Sequence, residues 1–182
     1  MILRGKQIYL KEHLLEENYS LILNAFHDIE FVKYLSFAKQ ALALNDINDL
    51  KDFIAEFEGE SIFEIYDYNN KFIGYTFLSD FKEREECEFG IFILDKNCWG
   101  KGIGSEVTRL MLEYAFNELN FEKVVLSTSE FNHAAINIYE KAGFKRIELL
   151  SEDRVIFHND KWVLSGTVLM EIKKEDFIAI LQ

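Results

Sequence analysis

Hydrophobic and polar positions change period along the chain, and each change marks an expected element. A strand is predicted around Gln7 to Leu10, followed by a helix from about Glu16 to Phe26, where Leu21, Ile22, Ala25 and Phe26 share one face. A short helical piece is expected around Phe31 to Leu35. Leu50, Phe53, Ile54 and Phe57 then repeat at helical spacing. Asn45 or Asp46 can cap that helix, because a side-chain oxygen there accepts from the first free backbone amides, and Gly59 supplies a natural end.

The period then falls from 3.6 to 2. Ser61 to Tyr68 and Lys71 to Ser79 alternate like strands around Asn69-Asn70, a pair that tolerates the positive φ of a tight hairpin. A third strand, Cys87 to Leu94, follows the charged run KEREE. Val107, Leu110, Met111, Tyr114, Ala115 and Leu119 fall on one stripe of a long amphipathic helix opening at WGKGIGSE. A strand from Lys123 to Thr128, a helix from His133 to Ala142 closed by Gly143, and two strands, about Lys145 to Phe157 and Trp162 to Ile172, complete the chain around the turn HNDK. This order predicts an α/β sandwich with a mostly antiparallel sheet.

The 182 residues show no repeat, low-complexity tract or linker, so a single domain over residues 1–182 is expected. Twenty Lys and Arg against 32 Asp and Glu give a net charge of −12, which argues against a nucleic-acid partner held by phosphate neutralisation. An acidic field steers cationic or amine substrates. Cys87 and Cys98 match neither a disulfide framework nor a paired metal-ligand spacing. The start lacks a signal-peptide core and no window approaches a membrane span. A cytoplasmic protein with no membrane partner is expected. The absence of proline leaves helix ends and turns to Gly, Asn, Asp and Ser.

Three of the nine glycines, Gly100, Gly102 and Gly104, sit within five residues between a strand and a helix. Such a loop lets backbone amides approach an anion, and the helix starting at about Ser105 adds the positive end of its dipole. A phosphate or pyrophosphate is the expected occupant. The dinucleotide fingerprint would require glycine at Ser105, and the triphosphate loop a Gly-Lys-Ser/Thr ending that is absent.

The run EFGIFILDKNCWGKGIGSEVTRLMLEYAFNELNFEKVVL, followed by NHAAINIYEKAGF, resembles the GNAT superfamily of acetyl-coenzyme A-dependent N-acetyltransferases. The likeness extends over nearly the whole chain, from the opening strand to the DKW turn. The family signature, Gln or Arg, two residues, Gly, one residue, then Gly or Ala, falls on Trp99, Gly102 and Gly104. Tryptophan in the first place is similar to the branch containing bacterial spermidine N-acetyltransferases and ribosomal-protein N-terminal acetyltransferases.

The resemblance implies a three-layer GNAT-like sandwich, a mostly antiparallel mixed sheet with a splayed central strand pair and helices on both faces. It implies that the amides of Trp99, Gly100, Lys101, Gly102, Ile103, Gly104 and Ser105 hold the coenzyme A pyrophosphate. The strand around Phe92, Ile93 and Leu94 would splay from its neighbour and pair with the pantetheine arm, since an unpaired strand edge needs partners. Asn132 and Lys141 match family positions near the coenzyme arm and its phosphates. Lys141 is equally well read as an ordinary solvated lysine.

Acetyl transfer from a thioester to an amine needs a neutral amine, a polarised carbonyl and a proton for the leaving thiolate. The chain has no nucleophile elbow and no histidine pair at metal spacing, and His13, His27, His133 and His158 are scattered, so no metal is expected. The family pattern Asn132, Ala135, Tyr139 implies that the Tyr139 phenol protonates the sulfur or hydrogen-bonds to it. On spacing alone, Tyr139 reads as a core aromatic beside Ile136. Glu88, at the start of the splayed strand, stands where related enzymes carry a glutamate that takes the amine proton, and is otherwise a surface carboxylate. Glu83, Glu85 and Glu86 read as a solvated face or one wall of a polycation site. Cys98, beside the loop, is a candidate reactive thiol.

A polyamine or diamine such as spermidine is the first acceptor expected, and a protein N-terminus is the alternative. Antibiotics and amino sugars stay open. Two readings of other kinds are a coenzyme A-binding sensor without turnover and a nucleotide-binding regulator. Relatives of this kind form homodimers and larger homo-oligomers, and no residue decides between those states.

Overall fold

The alternation of period observed in the sequence becomes, in the computed structural model, a mixed sheet covered by helices; residues 1–56, 61–83 and 85–181 are described. The strands are β1 (Ile2–Arg4), β2 (Ile8–Glu12), β3 (Ser61–Asp67), β4 (Phe72–Lys82), β5 (Glu86–Ile93), β6 (Lys123–Ser129), β7 (Lys145–His158) and β8 (Lys161–Lys173). The helices are α1 (Tyr19–Phe26), α2 (Ile29–Val32), α3 (Ala38–Leu42), α4 (Ile47–Glu56), α5 (Ile103–Glu113), α6 (His133–Ala142) and α7 (Lys174–Leu181).

Among the described residues the strands lie in the order β1-β2-β3-β4-β5-β6-β8-β7. Every neighbouring pair is antiparallel except β5 and β6, which run parallel and pair only at Glu86–Lys123, Cys87–Val124 and Glu88–Val125. Both strands continue beyond Glu88 and Val125 without pairing to one another. This is the expected splay.

Side chains alternate across the sheet, and the two faces build separate cores. Cys87, Phe89, Ile91 and Ile93 of β5 face the core completed by Val107, Met111, Ile136 and Phe177 of α5, α6 and α7. Tyr75, Phe77 and Phe92 face the opposite core, built by Ile22 and Phe26 of α1, Val32 of α2, Ala38 and Ala41 of α3, and Leu50 and Ile54 of α4. Helices therefore cover both faces, and residues of even number on β5 look toward the α1–α4 layer.

Several expected boundaries move, for local reasons. The first helix begins at Tyr19, because Leu15 and Asn18 are tied to β3 by a carboxylate fully buried in it: Glu64 accepts from the Leu15 amide at 2.7 Å and from Asn18 Nδ2 at 2.6 Å. A 3-10 turn, Glu16–Asn18, fills the start of the expected helix. The fourth helix is capped by Asp46, whose Oδ1 accepts from the amides of Asn48 and Asp49 at 2.7 and 3.0 Å. Phe57 and Gly59, its expected end, lie outside the described residues.

The long amphipathic helix starts at Ile103 rather than Ser105 and passes into a π-helical turn, Tyr114–Glu118. That turn lets consecutive Tyr114, Ala115 and Phe116 all be buried. Elements the periodicity does not predict are β1, α3 and α7. Among the described residues no helix is long and apolar enough to cross a membrane.

Candidate active site

The glycine loop grows from the end of β5. Asp95 accepts from the Asn97 amide at 2.9 Å and caps the 3-10 turn Lys96–Cys98. The chain then reaches α5 through Gly100 and Gly102, at φ +71° and +84°. Nothing lies within 4 Å of a Cβ placed on Gly100, so the left-handed backbone, not crowding, calls for glycine there. Among the described residues no N–H from Gly100 to Ser105 donates to another backbone group. Six amides thus stand at the positive end of α5, an arrangement suited to an anion.

Two contacts fix this loop. Trp99, 43% exposed, donates from its indole Nε1 to the Ile93 carbonyl at 2.9 Å, tying the loop to the end of β5. Glu106, in the first turn of α5, accepts from the backbone amides of Lys6 and Gln7 and ties the helix to the β1–β2 turn.

The loop forms one end of a cleft of about 1060 Å³ that enters the gap between β5 and β6. On the α6 side it is lined by Asn132, Ala135, Ile138, Tyr139 and Lys141; on the α1–α4 side by Phe31, Phe37, Phe77, Asp80, Glu88 and Phe92. Trp99, Gly100, Gly102, Ile103, Gly104, Ser105 and Ile93 also border it, so most of the expected site residues meet in one space. Leu94 and Lys101 do not line it. The Leu94 amide donates to the Ile73 carbonyl at 2.9 Å and its side chain packs in the α1–α4 core, which leaves Phe92 and Ile93 as the residues of that expected trio along the gap.

Tyr139 is 9% exposed, its ring held edge-on to Phe89 at 6.2 Å and to Phe144 at 5.8 Å. Its hydroxyl has no hydrogen-bond partner among the described residues. Burial pushes the phenol up to about 12, so it stays protonated at neutral pH. Asn132 caps α6, its Oδ1 accepting from the Ala135 amide at 3.3 Å, so that oxygen serves the helix and its Nδ2 is the group left for a ligand. Lys141 lies in the last turn of α6, exposed at the edge of the cleft.

Glu88 occupies the last rung before the splay, on the face opposite Phe89, and is half-buried. Burial, then the neighbouring Asp80 carboxylate, hold its carboxyl above the ordinary range; Lys82 opposes and Glu86 adds to the shift. Asp80 sits at φ +50°, where the β4–β5 register breaks between Ser79 and Lys82. The two carboxyls and the Tyr139 phenol therefore reach one cleft from opposite faces of the sheet.

Other expected groups lie elsewhere. Glu86 is engaged by Lys82 and Lys123, each at 2.6 Å, and Glu83, Glu85 and Glu86 do not line the cleft. Burial, its largest influence, raises the Cys98 thiol, which makes it a poor nucleophile. His27 meets the Leu44 carbonyl at 2.7 Å and His158 lies 4.6 Å from the Phe131 ring. Among the described residues no cluster of His, Cys, Asp and Glu could hold a metal ion. Asp80, Phe31, Phe37, Phe77 and Arg154 are lining residues that sequence reasoning missed.

Comparison with known proteins identifies the family and the fold. A family model described as "Acetyltransferase (GNAT) domain" matches residues 13–145. The probable N-acetyltransferase YjcK of Bacillus subtilis is 38% identical over 55 residues, 30% of this chain and 30% of that protein. The kanamycin resistance protein of Rhizobium radiobacter is 43% identical over 47 residues, 26% of this chain and 44% of that protein. The chain thus spans less than half the length of these curated relatives. The structure of a spermidine N-acetyltransferase from Vibrio cholerae in complex with CoA and spermine superposes with a TM-score of 0.80 at 22% identity, covering 96% of this chain and 99% of the other. A GNAT-family acetyltransferase from Bacillus anthracis gives 0.76 at 17%, with the same coverage. Both share the fold.

Proposed function

Because the chain belongs to the GNAT acetyltransferase family, we propose that residues 1–182 act as one acetyl-coenzyme A-dependent N-acetyltransferase domain acting on a primary amine. The observation that most supports this reading is the convergence of Glu88 and Tyr139 on one cleft from opposite faces of the β5–β6 splay.

The residues fit the coenzyme. The six unengaged amides from Gly100 to Ser105 suit a pyrophosphate, the unpaired edges of β5 and β6 suit the amides of a pantetheine arm, and Lys141, at the cleft edge, would supply a cation to a phosphate. When bound, acetyl-coenzyme A supplies the acetyl group as a thioester, whose carbonyl carbon bonds to the amine nitrogen as its bond to sulfur breaks. Glu88 accepts the proton lost by the amine, directly or through water. Tyr139 donates its phenol proton to the departing sulfur. The raised Glu88 carboxyl holds a proton more readily than an ordinary carboxylate, as a base requires, and the buried phenol keeps its proton at neutral pH until the sulfur departs.

The leading acceptor is a polyamine or diamine. The net charge of −12 and the Asp80–Glu88 pair support it, as does the spermine in the Vibrio cholerae structure. The test is thiol release from acetyl-coenzyme A across spermidine, putrescine, aminoglycosides, amino acids and peptides with free N-termini, with Tyr139→Phe as control. Turnover of an amine that collapses in the variant is the expected result. Turnover on peptides alone moves the acceptor to a protein N-terminus, and coenzyme binding without turnover on any acceptor defeats the enzyme reading.

A further inference from the structure

The amine is only one end of the acceptor. Resting on the acetyl-transfer reading above, we infer that the reacting amine is joined to an uncharged hydrocarbon segment, which lies against a slot walled by Phe31, Phe37, Phe77 and Phe92.

The strand register places this wall. Ser79 pairs with Glu88 and Tyr75 with Phe92, and cross-strand partners share a face, so Phe77, Glu88 and Phe92 look toward the same helical layer. Between Glu88 and Phe92 on that face stands Gly90. A Cβ there would lie 2.1 Å from the Phe77 ring, so this ring covers the ground from the carboxylate to Phe92. The centroids of Phe77, Phe37 and Phe31 lie 6.0, 6.1 and 6.3 Å from that of Phe92. All four rings line the cleft and are only partly buried, while Phe26 behind them is fully buried.

Charge along the slot points the same way. Of the three carboxylates lining the cleft, Asp80 and Glu88 form one pair, and Glu30 is bound by Lys33 at 2.8 Å. Arg154 lines the cleft as well, its Nε donating to Thr167 Oγ1 at 2.7 Å. One ammonium therefore meets, beside Glu88, a carboxyl pair that no cation bridges among the described residues. A second ammonium within the cleft would be repelled by Lys33 and Arg154, which also line it. A diamine fits when its methylenes span the wall and carry the second ammonium beyond it; an aminoglycoside or an α-amino acid sets polar groups against the rings, where they lose water without gaining partners.

The experiment measures kcat/KM for unbranched alkylamines from ethylamine to hexylamine, with glycinamide and an aminoglycoside as polar amines. Calorimetric binding of the same amines is measured in the presence of coenzyme A. Each methylene buried on the wall raises kcat/KM and affinity by roughly threefold to fourfold. In Phe31→Ala that dependence flattens, and Phe31→Leu restores it; coenzyme-induced thermal stabilisation verifies that each variant is folded. Dependence flat from ethylamine to hexylamine, or higher kcat/KM on the polar amines, overturns the inference. Chain-length-dependent binding without turnover of any amine leaves the slot standing and removes the acetyl-transfer reading instead.

Discussion

Asp80 and Glu88 form a carboxyl pair across the β4–β5 ladder, set one rung before the sheet opens. The left-handed backbone at Asp80 breaks the register there. A carboxyl so placed is harder to ionise than one in water, because burial and a neighbouring negative charge both penalise its anion.

From this pair follows a pH dependence with a definite sign. Glu88 must be ionised to accept a proton, so kcat/KM falls as pH drops through its raised pKa, above the ordinary value of 4.5. Asp80→Asn removes one of the opposing charges and moves the acid limb to lower pH, by part of the whole shift, since burial is the largest cause. A limb that stays in place or moves upward would refute the pairing. Glu88→Gln lowers kcat by about 10²-fold or more at the optimum.

Tyr139→Phe removes only an oxygen from a ring packed against Phe89 and Phe144. The expected result is a loss of about 10²–10⁴ in kcat, with little change in melting temperature or in stabilisation by coenzyme A. A variant that retains full kcat would return Tyr139 to the role of a core aromatic.

At Gly102 an alanine must adopt φ +84°, which costs an L-residue about 1–2 kcal/mol. Gly102→Ala should lower the melting temperature by several degrees and weaken stabilisation by coenzyme A, because the amides it carries turn away from the anion. Gly74→Ala offers the contrast. Its Cβ would lie 2.0 Å from the Phe92 carbonyl oxygen, so it should destabilise the β4–β5 ladder itself, with or without ligand.

The indole of Trp99 supplies a hydrogen bond that phenylalanine lacks. Trp99→Phe leaves the Ile93 carbonyl without its 2.9 Å donor, a loss of about 0.5–1.5 kcal/mol. The coenzyme Kd, followed by calorimetry, should rise several-fold while kcat at saturation stays close to that of the parent.

What the sequence made legible was local chemistry. The α6 boundaries follow from Asn132 at one end and Gly143 at the other, both acting on backbone within four residues, and the structure reproduces them. The glycine loop was legible for the same reason. Glu64 was not: it reads as one polar position in an alternating strand, and its burial is made possible by Leu15 and Asn18, 49 and 46 residues away. Asp80 escaped notice because its approach to Glu88 depends on a register break that no periodicity shows. Phe92 was recognised for its backbone, while its ring belongs to a wall completed by Phe31 and Phe37, whose positions are set by helices packing from a distant stretch of chain.

Among the described residues three rungs join β5 to β6, so the eight strands there are two leaves stitched at one end. An occupant whose amides run along the two open margins would add stitches, and cohesion of the leaves would then track occupancy. Amide exchange from Leu126 to Ser129 should slow on coenzyme A binding well beyond any change at β2 or β3. Mechanical weakness and work would then share one seam, and a cavity-filling change that zipped it shut would produce a sturdier protein with nowhere to hold its thioester.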